Sequence, residues 1–86
     1  MIITIEIEIG DTFADRLKLT RQKAKLNQKQ LSELSGVTAA AISYYESESR
    51  SPSIDKAIAI AKALNVSLDW LCGLSDEIPK WIKEEV

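Results

Sequence analysis

The chain has 86 residues, 45% hydrophobic and 28% charged, with a formal net charge of −2, one cysteine and no histidine. That is one small domain, of a size that buries only about 60–65% of its unfolded surface. The counts exclude an intrachain disulfide and a zinc site, and no apolar run approaches the ~18 residues of a membrane span, so a soluble protein in a reducing cytoplasm is expected.

Residues 2–9 alternate strictly: Ile3, Ile5, Ile7 and Ile9 share one face, and Thr4, Glu6 and Glu8 the other. This period predicts a β-strand. A lone strand leaves its backbone groups unpaired. Its partner is expected to be the same strand of a second protomer or the C-terminal segment of its own chain. Glu6, Glu8 and the lack of a basic start argue against a signal peptide. Residues 1–10 therefore read as a pairing arm, ended by Gly10-Asp11.

Residues 11–74 read as a helical domain. Asp11 or Thr12 caps a first helix over about Phe13–Lys25. Phe13, Leu17, Thr20 and Ala24 fall on its inward face, and Arg16, Lys18, Lys23 and Lys25 on its water side. Leu19 lies off the inward face. Asn27 caps a second helix, with Gln30 in capping-box position and Leu31 and Leu34 as apolar contacts. Gly36 ends that helix, since glycine enters the left-handed region without steric cost. Val37 drops into the core and Thr38 caps the third helix, Ala39–Glu46.

That third helix has two faces. Val37, Ala41, Ile42 and Tyr45 project inward. Ala39, Ala40, Ser43, Tyr44 and Ser47 project outward, and no charge lies among them. A helix selected only for solubility usually carries Lys or Glu there. Helix propensity alone would also account for Ala39-Ala40.

A loop over 47–53 follows, and Ser53 caps a fourth helix, Ile54–Leu64. Ile54, Ala57, Ile58, Ile60, Ala61 and Leu64 form its apolar stripe. Asn65 takes the left-handed stop. Ser67 caps a fifth helix, Leu68–Cys72, ended by Gly73. Cys72 is expected to be a small buried apolar residue rather than a redox switch. In the extension, residues 75–86, Pro79 favours one or two helical turns. The spacing of Ile78, Ile82 and Val86 also allows a strand beside residues 2–9.

Charge is unevenly spread. Residues 12–51 carry Arg16, Lys18, Arg21, Lys23, Lys25, Lys29 and Arg50 against Asp15, Glu33, Glu46 and Glu48, a net of +3. Both ends are acidic. A nucleic-acid partner would meet the centre of the chain, although a solvated helix face would carry similar charge.

From Phe13 to about Leu74 the chain resembles the Xre/Cro family of lambda-repressor-like helix-turn-helix domains. The matching residues are Leu26-Asn27-Gln28, Leu31-Ser32, Gly36-Val37-Thr38, Ile42-Ser43, Tyr45-Glu46, Pro52-Ser53 and the run from Ala61 to Leu71. Each piece is weak alone, but the ordered set is specific. The resemblance implies an all-α, five-helix bundle, to which the residue pattern adds the N-terminal β-strand and the short C-terminal extension. It also implies that the third helix lies in the major groove of DNA. Gln28, Thr38, Ala39, Ala40, Ser43 and Tyr44 would then face bases or the adjoining backbone. Arg21 and Glu46 would form a structural ion pair. Asn27, Lys29, Arg50 and Ser53, with the backbone N–H groups that open the second and fourth helices, would meet phosphates.

The chain departs from the family pattern in four places. Lys25 and Glu48 stand where glycine is common, and Thr20 where leucine is. The outward face also lacks the Arg, Asn or Gln that make bidentate base contacts.

The expected function is sequence-specific binding of double-stranded DNA by a transcriptional repressor. A homodimer on a pseudo-palindromic operator is expected, paired through Ile3, Ile5, Ile7, Leu19, Trp70 and Trp81. For Trp70, ordinary packing is an equal alternative. The competing function is an antitoxin or anti-repressor that holds a protein partner with its terminal segments. Without histidine, a phosphate loop or paired carboxylates in a cleft, no enzyme and no cofactor are expected.

Overall fold

The structure is a computed structural model that describes residues 12–83. Six helices occupy them: α1 Phe13–Lys23, α2 Gln28–Ser35, α3 Ala39–Glu46, α4 Ile54–Leu64, α5 Leu68–Leu71 and α6 Lys80–Lys83. The expected five-helix bundle with an added N-terminal strand is thereby corrected. No strand occurs among the described residues, and the extension adds a sixth helix. Residues 2–9, with Ile3, Ile5 and Ile7, lie outside the described residues.

Each of the first five helices opens on a small polar cap. The Thr12 hydroxyl accepts from the Asp15 N–H at 3.1 Å, and the Thr38 hydroxyl from Ala41 N–H at 3.1 Å. Ser53 and Ser67 cap α4 and α5 in the same way. Asn27 does more: its Oδ1 accepts from Gln30 N–H at 2.7 Å, while its own N–H donates to Gln30 Oε1 at 2.8 Å. This reciprocal pair satisfies two donors that a helix start otherwise leaves open.

Four helices, α1, α3, α4 and α5, end by one device. Leu26 N–H reaches the Arg21 carbonyl, Ser49 the Tyr44 carbonyl, Val66 the Ala61 carbonyl and Leu74 the Asp69 carbonyl, at 2.7–3.1 Å. Such a closure requires the residue before the donor to be left-handed. Those residues are Lys25, Glu48, Asn65 and Gly73, with φ of 60°, 64°, 55° and 84°. The glycine geometry of the family pattern is thus kept at Lys25 and Glu48 without glycine. Consequently α1 stops at Lys23, two residues short of its expected end. Gly36 has φ 76°, and a methyl added there would meet nothing within 4 Å, so its constraint is conformational rather than steric.

The core gathers Leu17, Leu31, Val37, Ile42, Tyr45, Ile60, Ala61, Leu64, Trp70, Leu71 and Ile82. α2 packs on α3 and α4, and α1 on α3 and α5. Full burial of each large apolar side chain stabilises by about 1.5–3 kcal/mol. Phe13 meets the Tyr45 ring edge-on, with centroids 6.4 Å apart. In the extension the helical reading holds: Pro79 precedes α6, and its carbonyl accepts from Ile82 and Lys83.

Four placements differ from expectation. Arg16, assigned to the water side, is only 4% exposed. It donates from Nη1 to the carbonyls of Trp70 at 2.6 Å and Ser75 at 2.7 Å, and from Nη2 to Asp76 at 3.0 Å. Cys72 is exposed, not buried, because α5 ends at Leu71 and the chain turns outward at Gly73. Leu34 and Ile54 are also exposed. Leu34 lies in the last turn of α2 and Ile54 opens α4, where a helix end leaves its face less covered. Buried Thr20, at a family leucine position, spends its hydroxyl on the Arg16 carbonyl within its own helix.

Candidate nucleic-acid interface

α3 is anchored on its inner side and open on its outer side. Val37, Ile42 and Tyr45 are buried. Thr38, Ala40, Ser43 and Tyr44 are exposed, and Ala39 is half-buried. The outward surface is therefore small and polar, with one aromatic ring near its end.

The far end of α3 is pinned to α1. Glu46 accepts from Arg21 Nε at 2.7 Å and from Nη2 at 2.9 Å. The third guanidinium nitrogen donates to the Leu26 carbonyl at 2.8 Å, at the turn into α2. Both side chains are nearly covered. The Glu46 hydrogen bonds push the Arg21 pKa further up, against the opposing pull of burial, so the guanidinium keeps its charge. The ion pair thus ties α1 to the end of α3, and the same guanidinium holds the turn into α2.

Gln28 sits beside this pair. It is half-buried, and its amide nitrogen lies 3.5 Å from Glu46 Oε1, a long contact. Its amide leans on the ion pair rather than projecting freely from the start of α2. Lys29, one residue on, is exposed. Asn27 and Ser53 are exposed as well, but their side-chain oxygens are engaged as caps. What they leave for an anion is the helix start itself: the first-turn backbone N–H groups and the partial positive charge there.

At the same C-terminal end of α3, on its outward side, the Arg50 guanidinium lies over the Tyr44 ring, 4.7 Å from its centroid. Sequence spacing did not reveal this contact, because Arg50 lies beyond the helix, where helical periodicity no longer applies. The left-handed turn at Glu48 brings it back.

Of the residues expected at a dimer surface, Trp70 belongs instead to the core, at 1% exposure. The Arg16 guanidinium lies 5.3 Å from its ring centroid. Leu19 and Trp81 remain half-buried. The Trp81 ring N–H donates to the Asn65 carbonyl at 2.8 Å. A hollow of about 740 Å³ lies between Asn65–Ser67 and Ser75–Lys83 and includes no residue of α3. The outward face of α3 is thus exposed surface rather than a wall of that hollow.

Comparison with known proteins agrees with this geometry. A helix-turn-helix family model matches residues 17–71. Two Bacillus subtilis (strain 168) relatives are the uncharacterized HTH-type transcriptional regulator YobD and the HTH-type transcriptional regulator ImmR. YobD is 35% identical over 65 residues, which is 76% of this chain and 58% of that protein. ImmR is 38% identical over 65 residues, 76% of this chain and 50% of that protein. The chain thus spans little more than half the length of these curated relatives. Among solved structures, the P22 c2 repressor crystallised with a synthetic operator superposes with a TM-score of 0.69 at 33% identity, covering 72% of this chain and 96% of that one. A transcriptional regulator from Listeria innocua superposes with a TM-score of 0.66 at 28% identity, covering 86% of this chain and 69% of that one.

Proposed function

The chain belongs to the helix-turn-helix family, and from that premise we propose that it is a transcriptional repressor that binds duplex DNA through the outward face of α3. The observation that carries this reading is the uncharged, exposed face of Thr38, Ala40, Ser43 and Tyr44 on a helix locked by Arg21–Glu46. Such a surface can approach base edges without stranding a charge in the groove.

The roles divide by chemistry. Lys29, Arg50 and the backbone N–H groups that open α2 and α4, at Asn27 and Ser53, meet phosphates. They supply most of the affinity and make it fall with added salt. Ala39 and Ala40 contact thymine methyls, and Thr38 and Ser43 offer single hydrogen bonds. Gln28 reaches DNA by leaving its long contact with Glu46. Without a bidentate reader on α3, direct discrimination is modest and DNA shape contributes a larger share.

One small module covers few base pairs. A twofold homodimer on a pseudo-palindromic operator, with half-sites one helical turn apart, provides the missing selectivity. YobD and ImmR are transcriptional regulators, which supports regulation in general, and the complex of the P22 c2 repressor with a synthetic operator supports operator binding by a protein of this fold.

Selection from a library of random duplexes with the purified chain tests this reading. It should enrich a site with twofold symmetry. If no duplex is retained above a control protein at low salt, the reading fails. If an asymmetric site is enriched, only the homodimer is lost.

A further inference from the structure

The loop after α3 is built around one residue. The Tyr44 carbonyl accepts from the Ser47 hydroxyl at 3.1 Å and from the Ser49 N–H at 2.9 Å, and Arg50 N–H approaches it at 3.4 Å. Ser47 and Ser49 hydroxyls also bond each other at 2.9 Å. Glu48, with φ 64°, makes the reversal that allows this convergence. The Tyr44 ring then receives the Arg50 guanidinium at 4.7 Å. Tyr44 therefore holds both the backbone and the side chain of Arg50.

The ring face attracts the charge of the guanidinium and accepts none of its N–H donors as a conventional hydrogen bond. The contact therefore leaves the guanidinium N–H donors available to an anion. An arginine held this way loses less freedom when it meets an anion. Its position also selects the kind of anion. Recognition helices contact bases mainly with their N-terminal residues, and Arg50 lies past the C-terminal cap of α3. A phosphodiester at the edge of the groove suits that place better than a base edge does.

We propose that Tyr44 is a positioning residue: its ring holds the Arg50 guanidinium ready for a phosphodiester of duplex DNA, and its hydroxyl reads no base. This deepens, and rests on, the reading of α3 as the DNA-binding helix. Ala39, Ala40 and Ser43 bring no guanidinium or carboxamide to that face; Arg50 brings one from the loop, and Tyr44 sets where it points.

The test compares wild type with Tyr44→Phe, Tyr44→Ala, Arg50→Ala and the double variant Tyr44→Ala/Arg50→Ala, all in the full chain. Binding to a mixed-sequence duplex is measured by fluorescence anisotropy across a salt series, with circular dichroism to confirm folding. Arg50→Ala should weaken binding and lower the salt slope by about 1. Tyr44→Ala should weaken binding about twofold to fivefold, the range of an exposed cation–π contact. Tyr44→Phe keeps the ring face and should bind as wild type. In the Arg50→Ala background, Tyr44→Ala should add no further loss.

Two results overturn the proposal alone, with DNA binding intact. One is a Tyr44→Phe loss as large as that of Tyr44→Ala, which would make the hydroxyl the working group. The other is additive losses in the double variant. If the wild-type chain binds no duplex at low salt, the DNA-binding reading falls, and this proposal with it.

Discussion

Arg16 Nη1 donates to the Trp70 carbonyl at 2.6 Å, across 54 positions of sequence, and the same guanidinium lies 5.3 Å from the Trp70 ring centroid. One side chain therefore grips both the backbone and the ring of a core residue. It also ties α1 to the segment that leads into α6, through Ser75 and Asp76. Arg16→Ala leaves two carbonyls without this donor and opens space beside Trp70. A loss of about 3 kcal/mol in urea unfolding is expected. Asp76→Ala should cost much less, because the Asp76 side chain is 95% exposed and both carbonyl bonds of Arg16 remain. Equal losses in the two variants would contradict this assignment.

The Arg21–Glu46 pair is more covered and has both partners fixed. Removing one leaves a shielded charge unpaired, so Glu46→Ala and Arg21→Ala should each cost about 3 kcal/mol. The double variant should cost much less than the two single losses added together. Arg21 also holds the Leu26 carbonyl, so Arg21→Ala should be the worse of the two single variants. Chemical denaturation of the four chains measures this directly.

Lys25 and Glu48 occupy left-handed backbone without glycine. For an L-residue that conformation costs about 1–2 kcal/mol, while glycine adds about 0.5–1 kcal/mol of unfolded-state entropy. Lys25→Gly should therefore raise stability by about 0.5–1 kcal/mol. Glu48→Gly should gain a similar amount. Lys25→Ala keeps the left-handed strain and should give no such gain. Thermal melts of the three variants distinguish backbone strain from loss of a surface charge.

The Cys72 thiol is exposed but has a raised pKa, first through partial burial and then through the nearby charge of Asp69. The thiolate is the reactive form, so less of it is present at neutral pH than in a free cysteine. Alkylation by iodoacetamide at pH 7.5 should run slower than that of a model peptide thiol, and Asp69→Asn should speed it. A faster reaction in the native chain would contradict the assigned direction.

What was legible in the chain was mostly local. Asn27 with Gln30, Thr38, Ser53, Ser67, Gly36 and Asn65 each act within a few residues, so helix starts and stops could be read from spacing. The two faces of α3 follow from the same periodicity. The burial of Arg16 could not be read this way, because its partners lie on Trp70, Ser75 and Asp76. At i+3 from Phe13 and i−4 from Thr20 it flanks the inward face, but spacing does not name the distant groups that bury it. Trp70 was ambiguous for the same reason: what covers it is supplied by a distant helix. The left-handed turns at Lys25 and Glu48 show only as glycine positions filled by other residues. The Tyr44–Arg50 stack depends on the second of those turns, and no repeat in the sequence announces it.

Contact between the outward face of α3 and DNA is the claim that charge placed on that face puts at risk. Ala40 and Ser43 are both exposed, so Ala40→Glu/Ser43→Glu leaves the core untouched. Anisotropy titration of a mixed-sequence duplex at low salt should show at least about a tenfold loss of affinity, since each carboxylate would face phosphates and unpaired base edges. Circular dichroism and the urea midpoint should stay close to wild type. A folded double variant that binds duplex as tightly as wild type would contradict the claim.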